Sequence, residues 1–199
     1  MGKRWVKARK HDRYYQAAKR QGYRSRSAIK LSQIDRRYGL FQEGDIVVDL
    51  GAAPGGWSQV ARERVGARGR VIAVDLVPLA PIEGVELVRG DFMDPDVQGR
   101  IFEALRKPAD VVLSDISPHL SGQRSRDVAR TLDFAEAALA FALRALRAGG
   151  SFLVKTFQGE GYPEFRRRVA DYFEAVKGVK PSASRAASPE IYILAVGRR

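Results

Sequence analysis

An α/β fold, built on one mostly parallel seven-stranded sheet with helices on both faces, is predicted by three features of this 199-residue sequence. Short β-branched runs recur at Ile46–Leu50, Val71–Asp75 and Asp110–Ser114. They read as near-continuous apolar strands, the pattern of a parallel sheet covered on both sides. Stretches with helical spacing fall between them. A glycine-rich turn, Gly51-Ala52-Ala53-Pro54-Gly55-Gly56, follows the first run directly. It sits where open α/β sheets hold ligands, beyond the carboxyl ends of the strands.

The elements follow in order. His11–Gln21 predicts a basic helix, and Ala28–Ile34 a second, with Ile29, Leu31 and Ile34 at helical spacing and Ser25 or Ser27 as its cap. Strand one ends at Leu50, and a helix runs near Trp57–Val65. Strand two, Val71–Asp75, leads into a turn through Pro78 and Pro81 and then strand three, Val85–Val88. A helix near Val97–Leu105 precedes strand four, Asp110–Ser114. After a loop rich in Ser, Gly and Arg, Asp127–Arg147 predicts a long amphipathic helix with Val128, Leu132, Ala135, Leu139 and Leu143 on one face. Gly149-Gly150 is its expected stop. Ser151–Lys155 is strand five, Phe165–Phe173 a helix, and Val176–Val179 and Ile191–Val196 the closing strands, one of them antiparallel. This succession suggests a Rossmann-like sheet.

Composition narrows the chemistry. There is no Cys, and His11 and His119 are the only histidines, so neither a thiolate nor a histidine-rich metal centre is expected. No apolar run approaches membrane-spanning length and no secretory signal is evident, which predicts a cytoplasmic protein with no membrane partner. Residues 1–30 carry eleven Lys and Arg against Asp12 alone, a net +10 of the chain's +12. Trp5, Tyr14, Tyr15 and Tyr23 are interleaved with them. Cations neutralise phosphates and aromatic rings stack on bases, so residues 1–30 read as a nucleic-acid-contacting arm ahead of a single domain, 31–199. A merely solvated basic tail is the alternative.

The turn after strand one is not a dinucleotide fingerprint, because Ala53 stands at the second glycine position. It is not a phosphate-cradling loop, because no Gly-Lys-Ser/Thr follows. Asp75 closes strand two about 20 residues on, where a carboxylate usually holds a ribose diol. A glycine turn with a ribose acid and no phosphate chemistry points to S-adenosylmethionine. Asp49, Asp75, Asp91, Asp115 and Lys155 all fall at strand ends. Asp91 is placed to accept from an adenine amino group, or else caps a turn. Lys155 ends an apolar strand, as a working amine or as the ion-pair partner of Asp115. Lys30 and Glu190 carry no signal of their own.

Taken together, Tyr23-Arg24-Ser25-Arg26-Ser27 with Lys30-Leu31, Asp49 through Gln59, Ser114-Asp115, Val154 through Gly161, and Ser184-Arg185 with Glu190-Ile191-Tyr192 resemble the FtsJ/RrmJ family of ribosomal RNA 2′-O-methyltransferases, in order and spacing over nearly the whole chain. The resemblance implies the class I methyltransferase fold. It implies a Lys-Asp-Lys-Glu tetrad at Lys30, Asp115, Lys155 and Glu190. It implies S-adenosylmethionine contacts at Gly55, Trp57, Asp75, Asp91 and Asp115, and no metal. The implied reaction is methylation of a uridine ribose 2′-hydroxyl in 23S ribosomal RNA of the large (50S) subunit by a monomer, with Lys155 as base. A tRNA or cap ribose methylase and a non-catalytic ribosome assembly factor are the alternatives; an intact tetrad speaks against the latter. His119 after Pro118, and Pro189 before Glu190, depart from the expected pattern.

Overall fold

A computed structural model describes residues 12–118 and 121–199. The expected helix start at His11, the arm residues before it and the departure at His119 lie outside the described residues. Along the chain come α1 (Arg13–Arg20), α2 (Ser27–Tyr38), β1 (Ile46–Leu50), α3 (Gly56–Val65), β2 (Arg70–Asp75), β3 (Val85–Arg89), α4 (Pro95–Leu105), β4 (Ala109–Ser114), α5 (Arg124–Ala145), β5 (Leu146–Phe157), α6 (Tyr162–Ala170), β6 (Phe173–Val179) and β7 (Glu190–Arg198). The strands form one sheet in the order β3-β2-β1-β4-β5-β7-β6. β1 pairs in parallel with both β2 and β4, so the strand order reverses there and the rim above these strands becomes the ligand-binding crevice. β7 is the antiparallel strand, inserted between β5 and β6.

Alternation along the strands divides the core in two. Val48, Leu50, Ile72, Val112 and Phe152 meet α4, α5 and α6 on one face. Val47, Val71, Val111, Leu113 and Leu153 meet α2 and α3 on the other. Both layers are apolar, as the strand sequences required. α1 caps the second layer: Asp12 accepts from the Tyr14 and Tyr15 amides at its start, and Ala18 packs with Ile29 and Ala183. The expected domain boundary at residue 30 falls inside α2, whose Ala28, Leu31 and Ile34 are core. Among the described residues no helix is long and apolar enough to cross a membrane.

Two local expectations fail. Neither Ser25 nor Ser27 caps α2; their hydroxyls bond each other at 2.7 Å, and Arg26 occupies the cap position without a side-chain bond. Gly149-Gly150 does not stop α5. The helix ends at Ala145, because Leu146 turns extended and pairs with Ala109, and β5 then runs through both glycines. The register with β4 shifts between Ala109 and Val111, and Gly149 takes a positive φ of 75° within that irregular stretch. The glycines serve a strand irregularity rather than a helix end.

Candidate active site

The turn after β1 is tight because its glycines adopt backbone that other residues resist. Gly51 has φ +73° and Gly55 φ +106°. A Cβ on Gly51 would fall 2.2 Å from Ile116 of the loop after β4. The turn thus presses against the loop after β4, and a cavity of about 810 Å³ opens above the β1 and β2 ends.

Asp75, Asp91 and Asp115 line that cavity, with Val77, Met93 and Pro118 among its apolar walls. The expected ribose acid is already oriented. One oxygen of Asp75 accepts from the Ala53 amide and the other from the Val77 amide, both at 2.8 Å. Each oxygen keeps a further lone pair for a diol. Asp91 accepts from the Met93 amide at 2.9 Å. Asp133 adds a fourth acid to the lining, and Arg130 its one cation. This carboxylate-rich, largely apolar lining suits a cationic nucleoside such as S-adenosylmethionine and offers no cradle for a pyrophosphate.

Gly55 and Trp57, also expected to touch the cofactor, lie at the start of α3. Neither lines the cavity, whereas Gly51 and Ala53 of the same turn do. Trp57 is buried and donates to the Ser27 carbonyl at 2.9 Å, tying α3 to α2. A Cβ on Gly55 would meet Ile82 at 2.7 Å and the Arg24 side chain at 3.1 Å.

The four tetrad positions converge although they span 160 residues. Lys30, on α2, donates to both oxygens of Glu190, at the start of β7, at 2.6 and 2.7 Å. Lys155, on β5 and 6% exposed, donates to the Asp115 carbonyl at 2.7 Å and lies 3.2 Å from its carboxylate. Tyr192 joins these two pairs. Its hydroxyl accepts from Lys30 at 3.3 Å and donates to Asp115 Oδ1 at 2.9 Å, while its ring lies 5.7 Å from that of Trp57. Sequence reasoning gave Tyr192 no role. The signal was available in its spacing: on a strand, residue 192 shares the face of Glu190.

Burial, then the charges of Asp115 and Glu190, push the Tyr192 phenol well above its ordinary range, so it stays a donor. Burial is also the largest influence on Glu190, raising it. The Lys30 charge and hydrogen bonds, with Ser184 and Lys155, outweigh it and hold this carboxyl below its usual value. Behind the turn, Asp49 is entirely buried. It accepts from Ser58 Oγ at 2.6 Å through one oxygen, and the other has no partner among the described residues. Burial, reinforced by Asp115 and Asp75, pushes it up to about 7.

A smaller pocket lined by Arg26, Lys30, Arg185, Ser188 and Glu190 opens at the Lys30–Glu190 pair, and it shares no residue with the larger cavity. Lys30, Glu190, Tyr192, Asp115 and Lys155 thus form one connected polar chain, with Asp115 on the acidic cavity and Lys30 and Glu190 on the pocket that Arg26 and Arg185 line.

The FtsJ-like methyltransferase family model matches residues 23–198, which include all four tetrad positions. The chain belongs to this family. The ribosomal RNA large subunit methyltransferase E of Azoarcus sp. (strain BH72) is 48% identical over 198 residues, covering 99% of this chain and 97% of that protein. The protein of the same name from Methanothermobacter thermautotrophicus is 48% identical over 200 residues, covering 100% and 94%. A solved ribosomal RNA methyltransferase from Plasmodium falciparum superposes with a TM-score of 0.81 at 26% identity, covering 88% of this chain and 98% of that one. The Rossmann-like methyltransferase fold expected from the sequence is thereby found, in a member of the FtsJ-like family.

Proposed function

We propose that this FtsJ-like methyltransferase moves the methyl group of S-adenosylmethionine to a uridine ribose 2′-hydroxyl in 23S ribosomal RNA of the large subunit. One observation carries the proposal: Asp115 lies on the wall of the cofactor-sized cavity and holds Lys155 at 2.7 and 3.2 Å, next to a pocket rimmed by Arg26 and Arg185. A methyl donor on one side and an RNA ribose on the other would meet at Lys155. The RNA class is that of the relatives named above; the 2′-oxygen and uridine rest on the family resemblance.

When bound, the sulfonium supplies an already activated methyl group. The chain must align the hydroxyl and remove its proton. Asp75 fixes the cofactor ribose, and Asp91 accepts from the adenine amino group. Asp115 faces the sulfonium and orients Lys155 through both its carbonyl and its carboxylate. With the donor bound, the 2′-oxygen would take the methyl group from sulfur and Lys155 would be the base that receives the hydroxyl proton. Lys30, held by Glu190 and Tyr192, positions the ribose. The step calls on no metal, and the protein works as a monomer in the cytoplasm.

The test is single-turnover methylation of large ribosomal subunits by Lys155→Ala, with tRNA and capped RNA as controls. The base role predicts loss of methyl transfer with cofactor affinity and melting nearly intact, since the amine acts in the transition state. A purely structural role predicts a variant that melts earlier, by roughly 3–5 kcal/mol for a broken buried pair, and loses activity only as it unfolds.

A further inference from the structure

β5 and β7 pair with Lys155 opposite Tyr192 and Phe157 opposite Glu190. Side chains alternate along a strand, so Lys155 and Phe157 share one face of the sheet with Tyr192 and Glu190. Phe157 thus stands one strand repeat, about 6.6–6.8 Å, beyond the reacting lysine. A second cavity of about 490 Å³ opens there. Phe157, Gln158 and Pro189 form one wall, and Arg124 and Lys180 also line it. Ser188 lines both this cavity and the Lys30–Glu190 pocket, so the two adjoin.

The cavity is built before any ligand arrives. Lys180 donates to the carbonyls of Ala186 at 3.3 Å and Ser188 at 2.8 Å, fastening the loop that carries Pro189. The Gln158 backbone N–H donates to the Pro189 carbonyl at 2.8 Å. Asp127, the one acid in the lining, is taken up by the Ser121 amide, the Ser121 hydroxyl and the Gly122 amide. What remains is an apolar wall, the Arg124 guanidinium and the Gln158 side-chain amide. Apolar walls with a few placed polar groups are the usual form of a small-ligand site. A side-chain amide offers one acceptor and two donors, which complement the polar edge of a base. Sequence-specific RNA recognition reads bases that have left the stack.

We propose that this cavity receives an unstacked nucleobase of the RNA strand, read by Gln158 against the Phe157–Pro189 wall, with Arg124 meeting a neighbouring phosphate. The base belongs to the methylated nucleotide or to its immediate neighbour. The proposal rests on the reading of the protein as an RNA ribose methyltransferase.

Wild type, Gln158→Ala and Arg124→Ala are compared in single-turnover methylation of large ribosomal subunits from cells lacking the enzyme. Binding of S-adenosylhomocysteine and melting are measured beside it. Gln158→Ala is expected to lower kcat/KM for the subunit about ten-fold or more. Its S-adenosylhomocysteine Kd, Tm and salt slope of RNA binding are expected to stay unchanged. Arg124→Ala is expected to reduce that slope by about 0.7–1, as loss of one phosphate contact does. Photo-crosslinking to RNA containing 4-thiouridine, mapped against the methylated position, separates the target base from its neighbour. Wild type that methylates subunits beside a Gln158→Ala variant of equal kcat/KM overturns the base site and leaves the methyltransferase reading standing. Wild type that methylates no RNA overturns both.

Discussion

Removing one oxygen from Tyr192 separates the two halves of the site. Tyr192→Phe keeps the ring beside Trp57 but leaves Asp115 without its phenol donor and Lys30 without one acceptor. Stability is expected to fall by about 1–3 kcal/mol, with slower methyl transfer and little change in S-adenosylhomocysteine affinity. Melting and single-turnover rates check this, and a variant equal to wild type in both would make the hydroxyl idle. Asp49 gives a pH signature. Its folded value of about 7 lies above the ordinary 3.8, so between these values the folded chain keeps a proton that the unfolded chain has lost. Stability from this group therefore falls as pH rises from about 4 to about 7, and levels off above. Asp49→Asn is expected to remove that slope, on the order of 4 kcal/mol across the window. Denaturant titrations at pH 4.5 and 7.5 measure it; parallel slopes in both proteins would refute it. Lys155 and the strand-end acids were legible singly, because a charge closing an apolar strand is conspicuous. Lys30, Glu190 and Tyr192 were not, since each is ordinary until folding supplies its partner.

Arg24 shows how segments hold one another. Its guanidinium donates to the carbonyls of Ala80 at 2.6 Å, Pro81 at 2.7 Å and Pro54 at 3.4 Å, and its own amide donates to Gln59 at 2.9 Å. The stretch before α2 is thereby clasped to the turn after β1 and the loop after β2, both of which contribute to the cofactor cavity. Arg24→Ala is expected to weaken S-adenosylhomocysteine binding by about five-fold, the equivalent of one hydrogen bond of roughly 1 kcal/mol, with Tm nearly unchanged because the clasp is exposed. Calorimetry at one temperature decides; an unaltered Kd would confine Arg24 to the surface. Strand positions were the legible part at this scale, since β1 lies where its apolar run predicts. The α5–β5 junction was not. Two adjacent glycines read equally as a helix stop or a strand irregularity, and only the pairing of Leu146 with Ala109 chooses.

The net charge of the whole chain is concentrated early in the sequence, with +10 of the +12 in residues 1–30. Residues 1–11 hold five of the 35 Lys and Arg and no acid. Deleting them is expected to flatten the salt dependence of RNA binding by up to about 3.5 units of slope, if all five reach phosphates of a single strand, at unchanged cofactor affinity. Plots of log Kd against log salt for the two proteins test it; coincident slopes would make the segment a solvated tail. Seven strands and one antiparallel partner were readable from their succession. Which strand neighbours which was not, because pairing is decided by contacts between distant residues that no local pattern encodes. The insertion of β7 between β5 and β6 is the clearest instance.

That insertion has a bearing on timing. Lys30 is made 160 residues before the glutamate it pairs with, and Tyr192, the link to Asp115, comes later still. At about 5–20 residues per second, Lys30 waits roughly 8 to 32 s during synthesis before its partner exists. A chain still growing on a ribosome has the glycine turn, both cavity acids Asp75 and Asp91, and much of its basic surface, yet lacks the strand that assembles the amine cluster. The four groups can therefore stand together only after β7 has threaded between β5 and β6, in the last steps of the chain's own synthesis.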